Sequence, residues 1–128
     1  MDKKDIILHN KLNELKKSKF RSSFHLRKYM IKYINEKGIK TINAHAYDFV
    51  KEKIAPSNPL NDGKQTPTKN HPVFIAMHAC ACCCRGCLYK WHHIEKNRDL
   101  TNNEINYIVS LIMLWIIEDM KLNIDNNN

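Results

Sequence analysis

All five cysteines of the chain, Cys80, Cys82, Cys83, Cys84 and Cys87, fall in a span of eight residues, with His71, His78, His92 and His93 on either side. Thiols packed this closely staple nothing, because a disulfide stabilises by closing a long loop. In a reducing compartment the pattern points instead to metal ligation or thiol chemistry. Cys84-Arg85-Gly86-Cys87 is a C-x-x-C motif. Its turn brings two sulfurs to one side of the chain, within reach of one ion at a metal–sulfur distance of ~2.3 Å. Arg85 and the start of a following helix would favour thiolate over thiol, and Gly86 offers the backbone freedom such a turn draws on. A tetrahedral zinc ion needs two further ligands. His78 and His92, six and five residues from the motif, are the candidates. The expected set is therefore His78, Cys84, Cys87 and His92, with Cys83 as substitute ligand, since Cys83 and Cys87 share a face if the turn is helical. Cys80 and Cys82 read as small buried apolar residues.

Two other chemistries fit the same stretch less well. An iron–sulfur cluster asks for four cysteines, and Cys83, Cys84 and Cys87 supply three. A thiolate nucleophile at Cys87 or Cys84, with His92 or His93 as base, lacks a third group to orient the base. A catalytic zinc would keep an open position near a carboxylate, and the nearest acid, Glu95, stands beside Lys96. The sequence contains no Gly-rich phosphate loop, Ser-centred triad or H-E-x-x-H motif.

The elements that must position these residues read as helices. Residues 10–18 suit a short polar helix or lead-in. Ser22 or Ser23 is placed to cap a helix carrying Phe24, Tyr29, Met30, Ile31, Tyr33 and Ile34, ended by Gly38. Thr41 is placed to cap the next, in which Ile42, Ala46, Phe49, Val50 and Ile54 form one stripe before Pro56 stops it. Pro56, Pro59, Asn61-Asp62-Gly63 and Pro67 mark a long loop, after which Pro72 suits the first turn of a short helix. A second short helix begins near Cys87 and ends around His93. Thr101-Asn102-Asn103-Glu104 is a capping box. It opens a helix burying Ile105, Ile108, Val109, Ile112, Trp115 and Ile116. The expectation is an all-α, compact single-domain bundle of about five helices with a Cys/His-rich metal-site turn. Residues 1–14 would be a lead-in, 15–120 the domain and 121–128 a disordered tail.

The chain has 128 residues and a formal net charge of +8, all of which is matched by the excess in residues 11–40. Seventeen of the 21 basic residues are lysine. With Asn and Ile also abundant, this is the bias of AT-rich coding sequence, which discounts lysine number as a sign of a partner. The four arginines, Arg21, Arg27, Arg85 and Arg98, are the more informative because a planar guanidinium is not replaced by an ammonium where geometry matters. The longest near-apolar run, Tyr107 to Ile117, is shorter than the ~18–20 residues of a membrane span, and the N-terminal residues do not suit a signal peptide. A cytoplasmic protein without a membrane segment is expected.

Several blocks together resemble a bacterial family known as domain of unknown function 4186: Phe20-Arg-Ser-Ser-Phe-His-Leu-Arg27, Asn61-Asp-Gly-Lys-Gln-Thr-Pro67, His71-Pro-Val-Phe74, His78, Cys83-Cys-Arg-Gly-Cys87 with Trp91-His92, and Arg98-Asp-Leu-Thr101. The resemblance spans about residues 15 to 117 and implies no established activity. It implies that Cys80 and Cys82 are not part of the shared pattern, and that relatives carry glycine where His93 and Asn97 stand. It also implies that the Asn61–Pro67 loop is ordered against the cysteine cluster.

Three functions follow as expectations. One is a zinc-stabilised binding module that docks nucleic acid with low specificity through the basic segment, using Arg21, Lys28 and Lys32 as phosphate contacts. Another is a metal- or cysteine-dependent enzyme whose site lies between residues 20–27, 61–67 and 78–92, with Arg21, His25, Arg27, Asp62, Lys64, Gln65 and Arg85 as polar candidates. The third is a structural zinc site inside a protein-interaction domain.

Overall fold

A computed structural model describes residues 2–59 and 63–126. Asn61 and Asp62, singled out above, lie outside the described residues. Among those described there are six α-helices and no strand: α1 (Lys3–Lys16), α2 (Lys28–Lys37), α3 (Ile39–Lys53), α4 (Pro72–Ala79), α5 (Arg85–His92) and α6 (Asn102–Asn126). The all-α expectation holds, with one helix more than anticipated.

The extra helix is α1. Asp2 caps it by accepting from the Asp5 N–H at 2.9 Å, and Leu8, Leu12 and Leu15 are buried at i, i+4 and i+7. That spacing is one apolar stripe on an otherwise polar helix. The stripe packs on α6, so the segment expected as a lead-in is part of the core. Residues 121–126, expected in a disordered tail, belong to α6; residues 127–128 lie outside those described.

Between α1 and α2 the chain makes a single 3-10 turn, Arg21–Ser23, and then extends to Arg27. Ser22 and Ser23 therefore cap no helix; their hydroxyls donate back to the Lys19 and Phe20 carbonyls. Gly38 ends α2 with φ at +88°, as its position suggests, and also stands as N-cap of α3. Thr41 is thereby moved into the first turn of α3. Ile42, Ala46, Val50 and Ile54 are fully buried along α3, which packs on α6, the central helix of the bundle. Thr101 and Glu104 form the expected capping box, each accepting from the other's backbone N–H at 3.1 and 2.9 Å. Arg98 adds a two-pronged bond to Glu104, both distances 2.8 Å.

Two turns aim the cysteine segment. At the end of α4, Ala81 takes a left-handed φ of 56°. The Cys82 N–H bonds to Met77 O at 2.9 Å and the Ala81 N–H to His78 O at 3.3 Å. This pair of bonds satisfies the last carbonyls of α4 and reverses the chain. At the end of α5, His93 has φ 58°, and Asn97 follows with φ 67°. These are the two positions at which the resembled family implies glycine, the residue that adopts this backbone without strain. The turn is the one glycine would make, built here with bulkier residues.

Candidate metal centre

Cys84 is the N-cap of α5, and its sulfur accepts from the Cys87 N–H at 3.4 Å. That bond folds the C-x-x-C so that the Cys84 and Cys87 sulfurs lie 3.4 Å apart. The Cys83 sulfur, one residue upstream, lies 3.6 Å from that of Cys87. All three sulfurs fall within 4.8 Å of one another. Cys83 is buried, while Cys84 and Cys87 are partly exposed, so the triad has a closed side and an accessible one.

Arg21 supplies the charge. Its guanidinium donates to Cys87 Sγ at 3.1 Å, contacts Cys83 Sγ at 3.7 Å and is anchored by His78 O at 2.8 Å. Burial works against the charge on Arg21, but the bonds to Cys87 and Cys83 outweigh it and hold the guanidinium more firmly protonated than usual. The Cys83 thiol is drawn down to about 7, chiefly by a hydrogen bond from Cys87, with Arg21 also lowering it against the effect of burial. Cys87 moves up, because its proton is shared with Cys83 and because it is partly buried. Burial also raises Cys84. Without a metal, Arg21 thus favours an ionised thiol within the Cys83–Cys87 pair. The N-terminus of α5 adds a favourable dipole at Cys84.

Arg85 was expected to serve the sulfurs and does not. It is 3% exposed, and its guanidinium reaches across the domain to five carbonyls. Nη1 donates to Ile54, Ala55 and Pro56 at 3.3, 3.5 and 2.9 Å, and Nη2 to Glu95 and Arg98 at 2.7 and 2.8 Å. It ties the end of α3 to the turn after α5, satisfying groups that a helix end leaves open. Gly86 is not needed for its φ either, since it has none of the positive φ seen at Gly38 and Gly63.

The two imidazoles expected to complete a tetrahedron are not brought to the sulfurs. His78 stacks on Phe24 at 5.4 Å between ring centres, and its Nε2 lies 3.2 and 3.1 Å from the carbonyls of Thr66 and Pro67. His92 spans Tyr107 Oη at 2.9 Å and Cys80 O at 2.8 Å. Burial holds His92 down to about 4. His78 thus holds the loop before α4 and His92 joins α6 to the end of α4, and the cluster instead takes Cys83, the substitute ligand. Cys80 and Cys82 are completely buried, with burial raising both thiols, in keeping with their reading as core residues.

The other candidates divide. Gln65 and Thr66 are buried, and Thr66 Oγ1 donates to Cys83 O at 2.7 Å, so the described part of the Gly63–Pro67 loop does pack against the cluster. Lys64 is exposed. Arg27 is the exposed N-cap residue of α2. Lys28 and Lys32 are exposed on α2, Lys32 lying 4.0 Å from Glu36. His25 pairs with Asp119, 94 residues away, at 2.9 Å. Asp119 and the role of Arg21 at the sulfurs escaped the sequence reading. The block spanning Phe20 to Arg27 was the signal for Arg21, but no spacing rule connects residue 21 to residue 87.

The fold and the triad define a small all-α domain with a three-cysteine centre able to hold a metal ion. The chain belongs to the family described as Domain of unknown function (DUF4186), which it matches over residues 9–117. That range takes in much of α1, consistent with its place in the core. No solved structure matches the chain. No helix among the described residues is long and apolar enough to cross a membrane.

Proposed function

We propose that the chain is a small zinc-binding domain in which Cys83, Cys84 and Cys87 are the protein ligands and Arg21 is their counter-charge. The observation that carries this is the size of the sulfur triangle. Tetrahedral bonds of ~2.3 Å require sulfur–sulfur edges of about 3.8 Å, and two edges of the triangle are 3.4 and 3.6 Å. Small movements would admit the ion. Thiolate ligands and a compact geometry favour zinc. An iron–sulfur cluster is less well supported, because Cys80 and Cys82 are sealed in the core and only three sulfurs gather. Three protein ligands leave the fourth position on the exposed side, where water or an exogenous group would complete the shell.

For nucleic acid the docking surface would be Lys28 and Lys32, which lie one turn apart on the exposed face of α2 beside the half-exposed Tyr29. Arg21 is spoken for by the sulfurs and would contribute nothing to phosphates. Such binding would be weak, nonspecific and steeply dependent on salt.

Elemental analysis of the purified full chain tests the metal reading. One zinc per chain, removed by chelation and abolished by Cys87→Ser, is the expected result. A chain that takes up no zinc after reduction and addition of the ion would overturn it.

A further inference from the structure

Arg21 also lines a cavity whose wall includes none of the three cysteines. Leu12, Leu15, Phe24 and Trp115 wall this cavity of about 160 Å³, with His25 and Asp119 among its remaining lining residues. The Asp119 side chain is 3% exposed and that of His25 is 60% exposed. Asp119 accepts from the Leu26 N–H at 2.7 Å and lies 2.9 Å from His25 Nδ1. The carboxylate beside Nδ1 selects the Nδ1–H tautomer, which donates to it, and that tautomer leaves Nε2 as an acceptor. The buried acid therefore fixes both the orientation and the tautomer of an accessible imidazole.

We propose that this cavity binds a neutral, single-ring molecule carrying one hydrogen-bond donor, such as a phenol, whose hydroxyl donates to His25 Nε2. Size sets the first part. A closed apolar cavity of roughly 150 Å³ holds benzene; this one has similar volume but is open on one side, with Leu12, Leu15, Phe24 and Trp115 as its apolar walls. Charge sets the second. The charged groups at the rim already have partners: Glu118 lies 3.4 Å from both Lys16 and His9, and Arg21 is held by the sulfurs. Among the described lining residues the charges are thus already matched in pairs, which favours a neutral ligand. The tautomer sets the third, because an acceptor at Nε2 selects a donor.

The inference is independent of the metal reading and is tested on the same full chain with phenol and anisole, rings of similar shape of which only phenol donates. NMR of the Trp115 indole N–H and Leu12 methyl signals localises binding. Saturable shifts at both residues, with phenol bound about five- to tenfold more tightly than anisole, are expected. His25→Leu should retain both ligands and lose the preference. Asp119→Asn keeps an acceptor for the Leu26 N–H but presents an amide donor to His25, reversing the tautomer, and should also erase the preference. It serves as a second variant should His25→Leu fold poorly. Absence of saturable shifts at Trp115 and Leu12, or an unchanged preference in both variants, overturns the proposal.

Discussion

The guanidinium of Arg21 lies 3.1 Å from the sulfur of Cys87, across 66 residues of sequence. This contact joins the turn before α2 to the start of α5 and places a fixed positive charge against thiols that carry negative charge as ligands. A group that hydrogen-bonds a ligand without touching the metal commonly changes metal affinity by about 10–100-fold. Arg21→Ala should weaken zinc binding by at least about tenfold, measured by competition with a chromogenic chelator. Arg21→Lys should recover little, because one ammonium cannot bridge two sulfurs and the His78 carbonyl in the same geometry. Wild-type affinity in Arg21→Ala would show that the arginine is only packed there.

Arg85 holds carbonyls from both ends of the 54–98 segment. Removing it leaves the buried Ile54 carbonyl and the less buried carbonyls of Pro56 and Arg98 without this donor, while Ala55 O keeps the Leu100 N–H at 2.9 Å; a buried acceptor left unpaired costs about 1–3 kcal/mol. Arg85→Ala should lower stability by about 3 kcal/mol or more, read from the urea midpoint. A change within about 0.5 kcal/mol, the range of an ordinary surface substitution, would contradict this role.

Stability should fall in mild acid, and two histidines set the window. Burial lowers His71 from 6.5 to about 4, with His45 beside it adding repulsion, and burial takes His92 to about 4 as well. Both are neutral in the folded chain while the unfolded chain gains protons below about 6.5. The stability they confer is complete above pH 6.5 and is lost as pH falls toward 4. Glu104, held at about 2 chiefly by Arg98, gives way only between 4.5 and 2. Between pH 7 and 5, therefore, the urea midpoint should drop through the histidines. His71 Nδ1 also accepts the Val73 N–H at 3.0 Å as the cap of α4. His71→Asn retains a capping acceptor and should shrink the drop; an undiminished drop assigns it elsewhere.

His93 terminates α5 in the left-handed region, its N–H bonded to Tyr89 O at 3.2 Å. A side chain in that conformation costs about 1–2 kcal/mol that glycine avoids, partly offset by the greater freedom of glycine in the unfolded chain. His93→Gly should stabilise the fold by about 0.5–1 kcal/mol, seen as a higher thermal midpoint. Destabilisation would indicate that the imidazole itself makes a contact the fold needs.

Helices whose ends carry their own chemistry were legible in the sequence: Gly38, Pro72 and the Thr101–Glu104 box mark boundaries the structure keeps. The stripe of α3 was equally plain. α1 was not, because its three leucines stand in a polar background whose partner, α6, lies about a hundred residues on. At the centre, local spacing identified Cys84 and Cys87 and allowed Cys83. It also suggested His78 and His92, which are near in sequence but engaged elsewhere, His78 by the Thr66–Pro67 loop and His92 by Tyr107 and the Cys80 carbonyl. Contacts made by the long reach of arginine were the least legible. Arg85 adjoins a sulfur and serves distant carbonyls, whereas Arg21 is distant and serves the sulfurs.

X-ray absorption at the zinc edge of the full chain separates these possibilities most directly. Three sulfurs at ~2.3 Å and one oxygen are the predicted shell, unchanged in His78→Ala and His92→Ala. Two sulfurs with two imidazole nitrogens would contradict the three-cysteine centre.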